Sequence, residues 1–302
     1  MTTDRLWRSL VVVLPVLAAI LAPLSTVDLA YHLRAGAEIL ATSRLPTADT
    51  WTFTAAGEPW VDQQWAAQVL LHGAEQLAGW TGLVVLRAAA TGLVVACLGV
   101  IAVRRGLGAR RTALLVLAAF AVAAPAMALR PQLFGLACFA LVLLLVERRR
   151  EHPRGVWFVP LVVAVWANLH GSFFLGPLAL GLAWLADVHD RDPAARRTLV
   201  AAAASALATC LTPSGPLVWL YAVSLSVDPS VTARITEWQP TSLRTPAGIA
   251  FFVSVAAVVA LIARRGSAIA RPTLLWLGAF LAIGLYAERG IAWWALAAVG
   301  PV

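Results

Sequence analysis

Lysine is absent from this sequence of 302 residues, and charged residues make up 13% of it. Soluble domains carry roughly 25% charged residues, so this composition excludes an ordinary soluble core. The hydrophobic share of 61% indicates instead a protein that crosses a membrane several times. Cysteine is scarce too, and each of the three lies in an apolar run, which is typical of small buried residues rather than of a disulfide framework or a metal cluster: Cys97, Cys138 and Cys210.

Missing motifs exclude further classes of protein. There is no Walker A motif, which excludes a P-loop nucleotide site, and no HExxH, which excludes a zincin protease. The net charge of +8 comes from arginine, most of it in short loops between apolar runs. A charge distributed in this way favours membrane topology over nucleic-acid binding, so no nucleic-acid partner is predicted.

Apolar runs close to the ~20 residues that span a bilayer as helix recur along the chain. The predicted spans are about 9–26, 82–103, 112–129, 131–147, 156–170, 172–187, 198–212, 247–263 and 272–287, with 290–302 as a tenth span or a cap. No signal-peptide cleavage site follows the first run, so we interpret it as a span. The fold prediction is an all-α, polytopic transmembrane helix bundle of about nine to ten spans. It forms a single domain over residues 1–302 with no soluble C-terminal domain.

The arginines predict the orientation of this bundle. Sixteen of the 23 basic residues lie at the N-terminus and in four loops, which are 104–111, 148–154, 191–197 and 263–271. The positive-inside rule places these loops and the N-terminus in the cytoplasm. The other side then carries a long first external loop, residues 28–80.

Two amphipathic helices are predicted in this loop, resting on the membrane face, over 28–41 and 60–77. At 100° per residue the first helix has an edge with Asp28 and His32 and another face on which Arg34 and Glu38 can pair. Its apolar face consists of Leu29, Leu33, Ala37 and Leu40. The Asp28–His32 edge is therefore the part of this helix that can take part in chemistry.

Short motifs near the predicted helix ends occur along nearly the whole chain. They are Asp28-LAY-His32-LRAG, Pro46-TA-Asp49-TWTFT, RPQLF (130–134), VWANLHG (165–171), EWQP (237–240) and AERG (287–290). Together with the long first external loop, they resemble the GT-C superfamily of membrane glycosyltransferases, similar to the protein mannosyltransferase and aminoarabinose transferase type. One departure is the stretch 290–292, Gly-Ile-Ala, where the resemblance leads us to expect a second polar residue.

The resemblance implies a glycosyltransferase of the bacterial cytoplasmic membrane, which moves a sugar from a polyprenyl-phosphate donor to an acceptor on the non-cytoplasmic face. Its partners are then the sugar lipid and membrane lipids; protein partners and a divalent metal stay open, and the sequence requires no cofactor. By resemblance Asp28 is the catalytic base, since a carboxylate can take the acceptor's proton. The alternative is that Asp28 ends the first span and caps the next helix.

The other charged candidates for substrate or phosphate binding each have a structural alternative. Arginine offers phosphate a planar fork with a permanent charge. Arg130 could bind phosphate or extend from a span boundary to the interface, and Arg289 could bind phosphate or pair with Glu288. His32 could orient Asp28, bind phosphate or a metal, or be a hydrogen-bonded structural residue.

The remaining candidates are Asp49, Trp60, Asp62, Gln64, Asn168, His170 and Glu237. For those in the first loop the alternatives are turns, membrane anchoring and a solvated helix face. For Asn168 and His170 the alternative is a hydrogen-bond network at a helix end. All the candidates map to the non-cytoplasmic side, and this coincidence is the strongest argument for a site that does not depend on the resemblance.

Two other classes of function stay open. One is a transporter or lipid-handling protein, although neither inverted repeats nor mid-membrane charges are evident. The other is a catalytically silent scaffold with a GT-C-like fold. The enzyme hypothesis requires Asp28 and Arg130 to face one cavity, so their separation in the structure tests it.

Overall fold

The computed structural model describes residues 2–24, 28–266 and 269–300, with the backbone alone at residues 230 and 265. Within these ranges the regular structure is helical, apart from an isolated antiparallel bridge between Ala48 and Pro59. The helices are α1 Thr3–Leu21, α2 Leu29–Thr42, α3 Trp65–Arg104, α4 Ala109–Ala123, α5 Pro131–Glu147, α6 Phe158–Leu169, α7 Leu175–His189, α8 Ala195–Ala208, α9 Leu217–Val227, α10 Pro229–Thr232, α11 Pro246–Arg265, α12 Arg271–Tyr286 and α13 Ile291–Ala297.

Four helical segments in the described ranges are long and apolar enough to cross a membrane, which confirms the prediction of an all-helical membrane protein. They are Trp65–Arg104, Ala109–Met127, Gly171–His189 and Pro246–Arg264. Other apolar helices are shorter, and α5 with 17 residues reaches about 25 Å at 1.5 Å per residue, less than the ~30 Å hydrocarbon layer. Residues 25–26 of the first predicted span and 301–302 of the last lie outside the described residues.

Helix α5 lies at the centre of the bundle, and it is buried on nearly every side. A helix that is apolar all round is expected to be enclosed in this way. Phe139 on α5 contacts Trp166, Phe280 and Trp293, with ring centroids 6.0, 5.4 and 5.6 Å away. Because lipid is as apolar as these side chains, close packing rather than transfer out of water holds the helices together.

The two ends of α5 carry different sets of charges. At its C-terminal end, buried Asp187 accepts hydrogen bonds from Arg149 Nε at 3.0 Å, Arg150 Nε at 2.7 Å and Thr198 Oγ1 at 2.7 Å. Nearby, Arg104 pairs with Glu151 and Arg105 with Glu147. The arginine-rich loops 104–111, 148–154 and 191–197 therefore lie together, while Arg130 directly precedes α5 at the opposite end of the bundle.

Helix α2 packs against the start of α3 at a glycine. A Cβ on Gly36 would lie 2.2 Å from the backbone oxygen of Gln68, so only glycine allows this contact. Of the predicted apolar face of α2, Leu29 is buried and Leu40 is 53% exposed. The other buried residues of this helix are His32, Ala35, Gly36 and Ile39. The predicted Arg34–Glu38 pair is wrong, because Glu38 accepts a hydrogen bond from Trp51 Nε1 at 2.8 Å instead.

The second predicted loop helix and the second predicted span join into α3. They are separated by a break at Ala78 and Gly79, where Gly79 has a positive φ of 57°. Further along α3, buried Arg87 donates hydrogen bonds to the carbonyl oxygens of Ala22 and Pro23. These bonds satisfy free carbonyls after the end of α1 and hold that end beside α3.

Candidate functional site

Loops and helix ends enclose a cavity of about 340 Å³ at the end of the bundle where α5 begins. It brings together nine of the eleven predicted site residues, which are Asp28, His32, Trp60, Asp62, Gln64, Arg130, His170, Glu237 and Arg289. Most of them lie in a connection between helices or in a short 3-10 turn rather than in the middle of a helix. Polar groups are least costly in such positions, because backbone and side chain can both reach water or each other.

Arg130 bridges two carboxylates in this cavity. Its Nη2 lies 2.7 Å from Asp28 Oδ2, and its Nη1 donates to Glu237 Oε1. Burial alone would lower the pKa of Arg130, but the hydrogen bond and charge of Glu237, followed by those of Asp28, raise it overall. Asp28 makes no side-chain bond to the start of α2, so helix capping does not account for it.

Arg289 is the second cation on the cavity wall, and its environment differs. Its guanidinium lies 4.5 Å from the ring centroid of Trp238, and its backbone oxygen accepts a bond from Gln132 Nε2 at 3.3 Å. Burial lowers its pKa. The predicted pair with Glu288 is wrong, because Glu288 Oε1 accepts from Thr245 Oγ1 at 2.8 Å. In the part of the chain that the structure describes, Arg289 forms no ion pair.

Both histidines of the cavity are neutral near pH 7. Burial lowers the pKa of His32 to about 4; the charge of Asp28 opposes this effect and that of Arg130 adds to it. Burial and then the charges of Arg289 and Arg130 hold the pKa of His170 well below its ordinary value. Because the backbone N–H of Ser172 donates to His170 Nδ1 at 3.2 Å, the ring proton of neutral His170 lies on Nε2.

A second cluster of polar side chains, around Asp62, lines the same cavity. Its Oδ1 accepts from Gln68 Nε2 at 2.9 Å, and the same amide donates to Tyr31 Oη at 3.2 Å. Burial raises the pKa of Asp62 to about 6. Its Oδ2 and His32 Nδ1 are buried without a hydrogen-bond partner within the described ranges. This cluster can therefore accept and donate further hydrogen bonds to a hydroxyl-rich ligand.

Two predicted site residues do not line the cavity. The Asp49 side chain belongs to a local turn, in which its Oδ1 accepts hydrogen bonds from the backbone N–H groups of Trp51 at 2.8 Å and Thr52 at 2.9 Å. Asn168 accepts from Trp65 Nε1 at 2.8 Å and donates to the carbonyl oxygens of Ala164 and Leu211. In the structure, these hydrogen bonds hold Asp49 in a turn and Asn168 at the end of α6.

Other cavity residues were missing from the predicted set, namely Tyr31, Gln63, Gln132, Tyr221 and Trp238. The sequence could have indicated three of them, because each lies beside a predicted site residue or inside a motif. Tyr31 precedes His32, Gln132 lies in RPQLF and Trp238 follows Glu237. Gln63, which directly precedes the candidate Gln64, is buried and donates to the carbonyl oxygen of Ala167 at 2.6 Å. Tyr221 on α9 had no signal, because only the tertiary fold brings that helix to the cavity.

Comparison with family models, with curated proteins and with solved structures gives no match for this chain. Its class therefore rests on the fold and the cavity: an all-helical membrane protein with a charged and aromatic cavity at one end of its bundle. In the described part of the chain, no three His, Cys, Asp or Glu side chains are grouped to hold a metal ion. The cations that the cavity itself supplies are the guanidinium groups of Arg130 and Arg289.

Proposed function

We propose that this protein is an integral membrane glycosyltransferase that moves a sugar from a polyprenyl-phosphate donor to an acceptor on the non-cytoplasmic face. One observation carries the proposal: Asp28 and Arg130 meet at 2.7 Å in a cavity that Arg289 also lines. A carboxylate and two arginines are the groups that proton removal and phosphate departure require. The resemblance to the GT-C superfamily supports the same reaction.

The proposal includes a topology. We place nine to ten spans in the bacterial cytoplasmic membrane, with the N-terminus in the cytoplasm and the cavity on the other side. The grouping of arginine-rich loops at the end opposite the cavity supports this orientation. Large apolar side chains on α2 and on the first part of α3 are exposed, which supports two helices lying at the membrane interface: Leu40, Leu70, Leu77 and Trp80.

The proposed reaction uses three groups of the cavity. The acceptor oxygen attacks the anomeric carbon, and the bond from that carbon to the phosphate oxygen breaks with its electron pair remaining on the phosphate. The acceptor's proton passes to the Asp28 carboxylate. Arginine charges stabilise the phosphate monoester that leaves on the lipid.

The two arginines have different roles in the proposed reaction. Arg289 forms no ion pair in the described structure, so a phosphate can bind to it without breaking one. Arg130 already has two carboxylates, Asp28 and Glu237. When a phosphate replaces Asp28 as its partner, the Asp28 carboxylate becomes free to take a proton. Phosphate binding and activation of the base are then linked.

The test is transfer from polyprenyl-phosphate sugars by purified protein, comparing wild type with Asp28→Asn and Arg289→Gln. We expect both variants to lose at least about a hundredfold in rate, since general-base and charge-stabilising groups each contribute on that scale. Asp4→Asn, an exposed carboxylate at the N-terminus, is the control and keeps full activity. Equal transfer by wild type and Asp28→Asn removes Asp28 from the mechanism. Binding of the lipid without any transfer favours the lipid-handling alternative, because Arg289 can bind a lipid phosphate in that role too.

A further inference from the structure

A second, smaller cavity of about 110 Å³ lies behind the charged wall of the first. Four residues line both cavities, which are Arg130, Gln132, Glu237 and Arg289. The rest of the small cavity consists mainly of small and apolar side chains: Pro125, Ala126, Ala247, Ile291 and Ala292, with Glu288 as a further polar residue. The charged row therefore separates a polar chamber from a smaller, mainly apolar one.

The small cavity lies between the end of α4 and the start of α11. These belong to the two candidate spans that the protein covers least: 33% of the Ala109–Met127 window and 17% of the Pro246–Arg264 window is buried. The other two candidate spans are 56% and 44% buried. In a membrane, the exposed sides of α4 and α11 face hydrocarbon. The small cavity is thus adjacent to the lipid side of the bundle.

The charged row offers one cation to an anionic group, and apolar walls lie next to it. Arg289, without an ion pair in the described structure, contributes positive charge to both cavities. The acidic group that remains, Glu288, already accepts the hydroxyl of Thr245, and Thr245 in turn caps α11 by accepting from the N–H of Gly248 at 3.0 Å. The apolar walls formed by Ala126 and Ala247 offer nothing for a sugar hydroxyl to bond.

We propose that the small cavity between α4 and α11 is the port for the lipid chain, holding the first isoprene unit of a polyprenyl phosphate whose phosphate lies on Arg289. The sugar then occupies the larger chamber with Asp28 and Asp62, on the other side of the charged row. This inference rests on the proposed function. It adds the path by which the donor enters from the bilayer, and it gives Ala126 and Ala247 the role of keeping that path open.

The first test fills the port. Ala126→Trp places a large ring in the small cavity, and Ala124→Trp is the matched control, because Ala124 is exposed in the same 3-10 turn and outside the cavity lining. Binding of undecaprenyl phosphate to purified protein is measured by native mass spectrometry. We expect Ala126→Trp to bind at least about tenfold more weakly, as overfilling a packed site costs on that scale, and Ala124→Trp to bind as wild type.

The second test needs no substitution, so it does not depend on how the tryptophan variant folds. A polyprenyl phosphate with a photoreactive group on its first isoprene unit is crosslinked to the wild-type protein, and the modified peptides are mapped. We expect crosslinks at residues 125–126 and 247, which unlabelled undecaprenyl phosphate abolishes and excess phosphatidylglycerol does not. Crosslinks confined to other helices overturn the port, as does equal competition by phosphatidylglycerol, which marks a general anionic-lipid site.

The outcomes separate the port from the proposed function. If Ala126→Trp binds normally while Arg289→Gln loses binding, the port is wrong and the phosphate site of the proposed enzyme stands. If the crosslinks map to 125–126 and 247 but no sugar is transferred from any donor, the port is right and the transferase activity is wrong. If wild type binds no polyprenyl phosphate, both are wrong.

Discussion

Asp62 and His32 are predicted to act on stability in opposite directions as the pH changes. Burial raises the pKa of Asp62 from 3.8 to about 6 and lowers that of His32 from 6.5 to about 4. Between pH 4 and 6 the folded protein therefore keeps a proton on Asp62 that the unfolded chain has lost. Over the same range it lacks a proton on His32 that the unfolded chain has gained.

The sign and size follow from proton linkage. For Asp62 the folded state binds more protons, so its contribution to stability is complete below pH 4 and is lost as the pH rises through about 6. For His32 the folded state binds fewer protons, so its contribution is complete above pH 6.5 and is lost as the pH falls through about 4. With the pKa of Asp62 at about 6 and that of His32 at about 4, each contribution is of the order of 3 kcal/mol, at ~1.4 kcal/mol per pKa unit. The two slopes largely cancel in the wild type.

The assay is thermal unfolding of detergent-solubilised protein from pH 4 to pH 7.5, for wild type, Asp62→Asn and His32→Gln. Relative to wild type, Asp62→Asn gains stability as the pH rises from 4 to 6, and His32→Gln loses stability over the same range. The expected change for each is of the order of 5–10 °C in Tm. Using differences from the wild type removes the slope that His170 adds to every profile. Profiles that stay parallel for all three proteins refute the burial argument for both residues.

Other perturbations separate structural contacts from the site. Asp187→Ala leaves Arg149 buried without its carboxylate, so we expect the free energy of unfolding, measured by chemical denaturation, to fall by about 3–5 kcal/mol. Glu151→Gln, at the surface of the same end of the bundle, is the control and leaves this free energy unchanged. If the two variants are equally stable, the buried pair is not what holds α5 to α7. Gly36→Ala forces α2 away from α3 and lowers Tm, while Gly73→Ala, where a Cβ meets nothing within 4 Å, leaves Tm unchanged or raises it.

Much of the cavity was predictable because of where polar residues fall along an apolar chain. Asp28 and Arg130 both stand at the boundary of an apolar run, and a bundle with alternating loops brings such boundaries to one end. At that end, the carboxylate of Asp28 and the guanidinium of Arg130 neutralise each other, with 2.7 Å between their atoms. The positions of the helix ends and the distribution of arginines therefore predict which residues gather at one end of the bundle. They do so without knowledge of which helices are neighbours.

What could not be predicted depends on local turns and on packing partners. Asn168 and His170 are two residues apart, yet only His170 lines the cavity, because the chain leaves α6 in an extended conformation at φ −161° and ψ 143°. Gln63 and Gln68 have the pattern of a solvated face, but the structure buries them against α2 and the end of α6. Hydrophobic periodicity describes one helix at a time and does not identify what covers its polar side.

The contrast between Arg130 and Arg289 gives a last prediction, in which stability and function diverge. Arg130→Gln leaves Asp28 and Glu237 facing a partly buried cavity without their shared cation, so we expect the protein to lose about 1–3 kcal/mol of stability. Arg289→Gln removes a half-buried cation that forms no ion pair in the described structure, so stability is unchanged or higher. Thermal unfolding and binding of undecaprenyl phosphate are measured on both variants. A residue maintained at a cost to stability is expected to act on a ligand, and a loss of stability in Arg289→Gln with lipid binding intact would show that this arginine is structural.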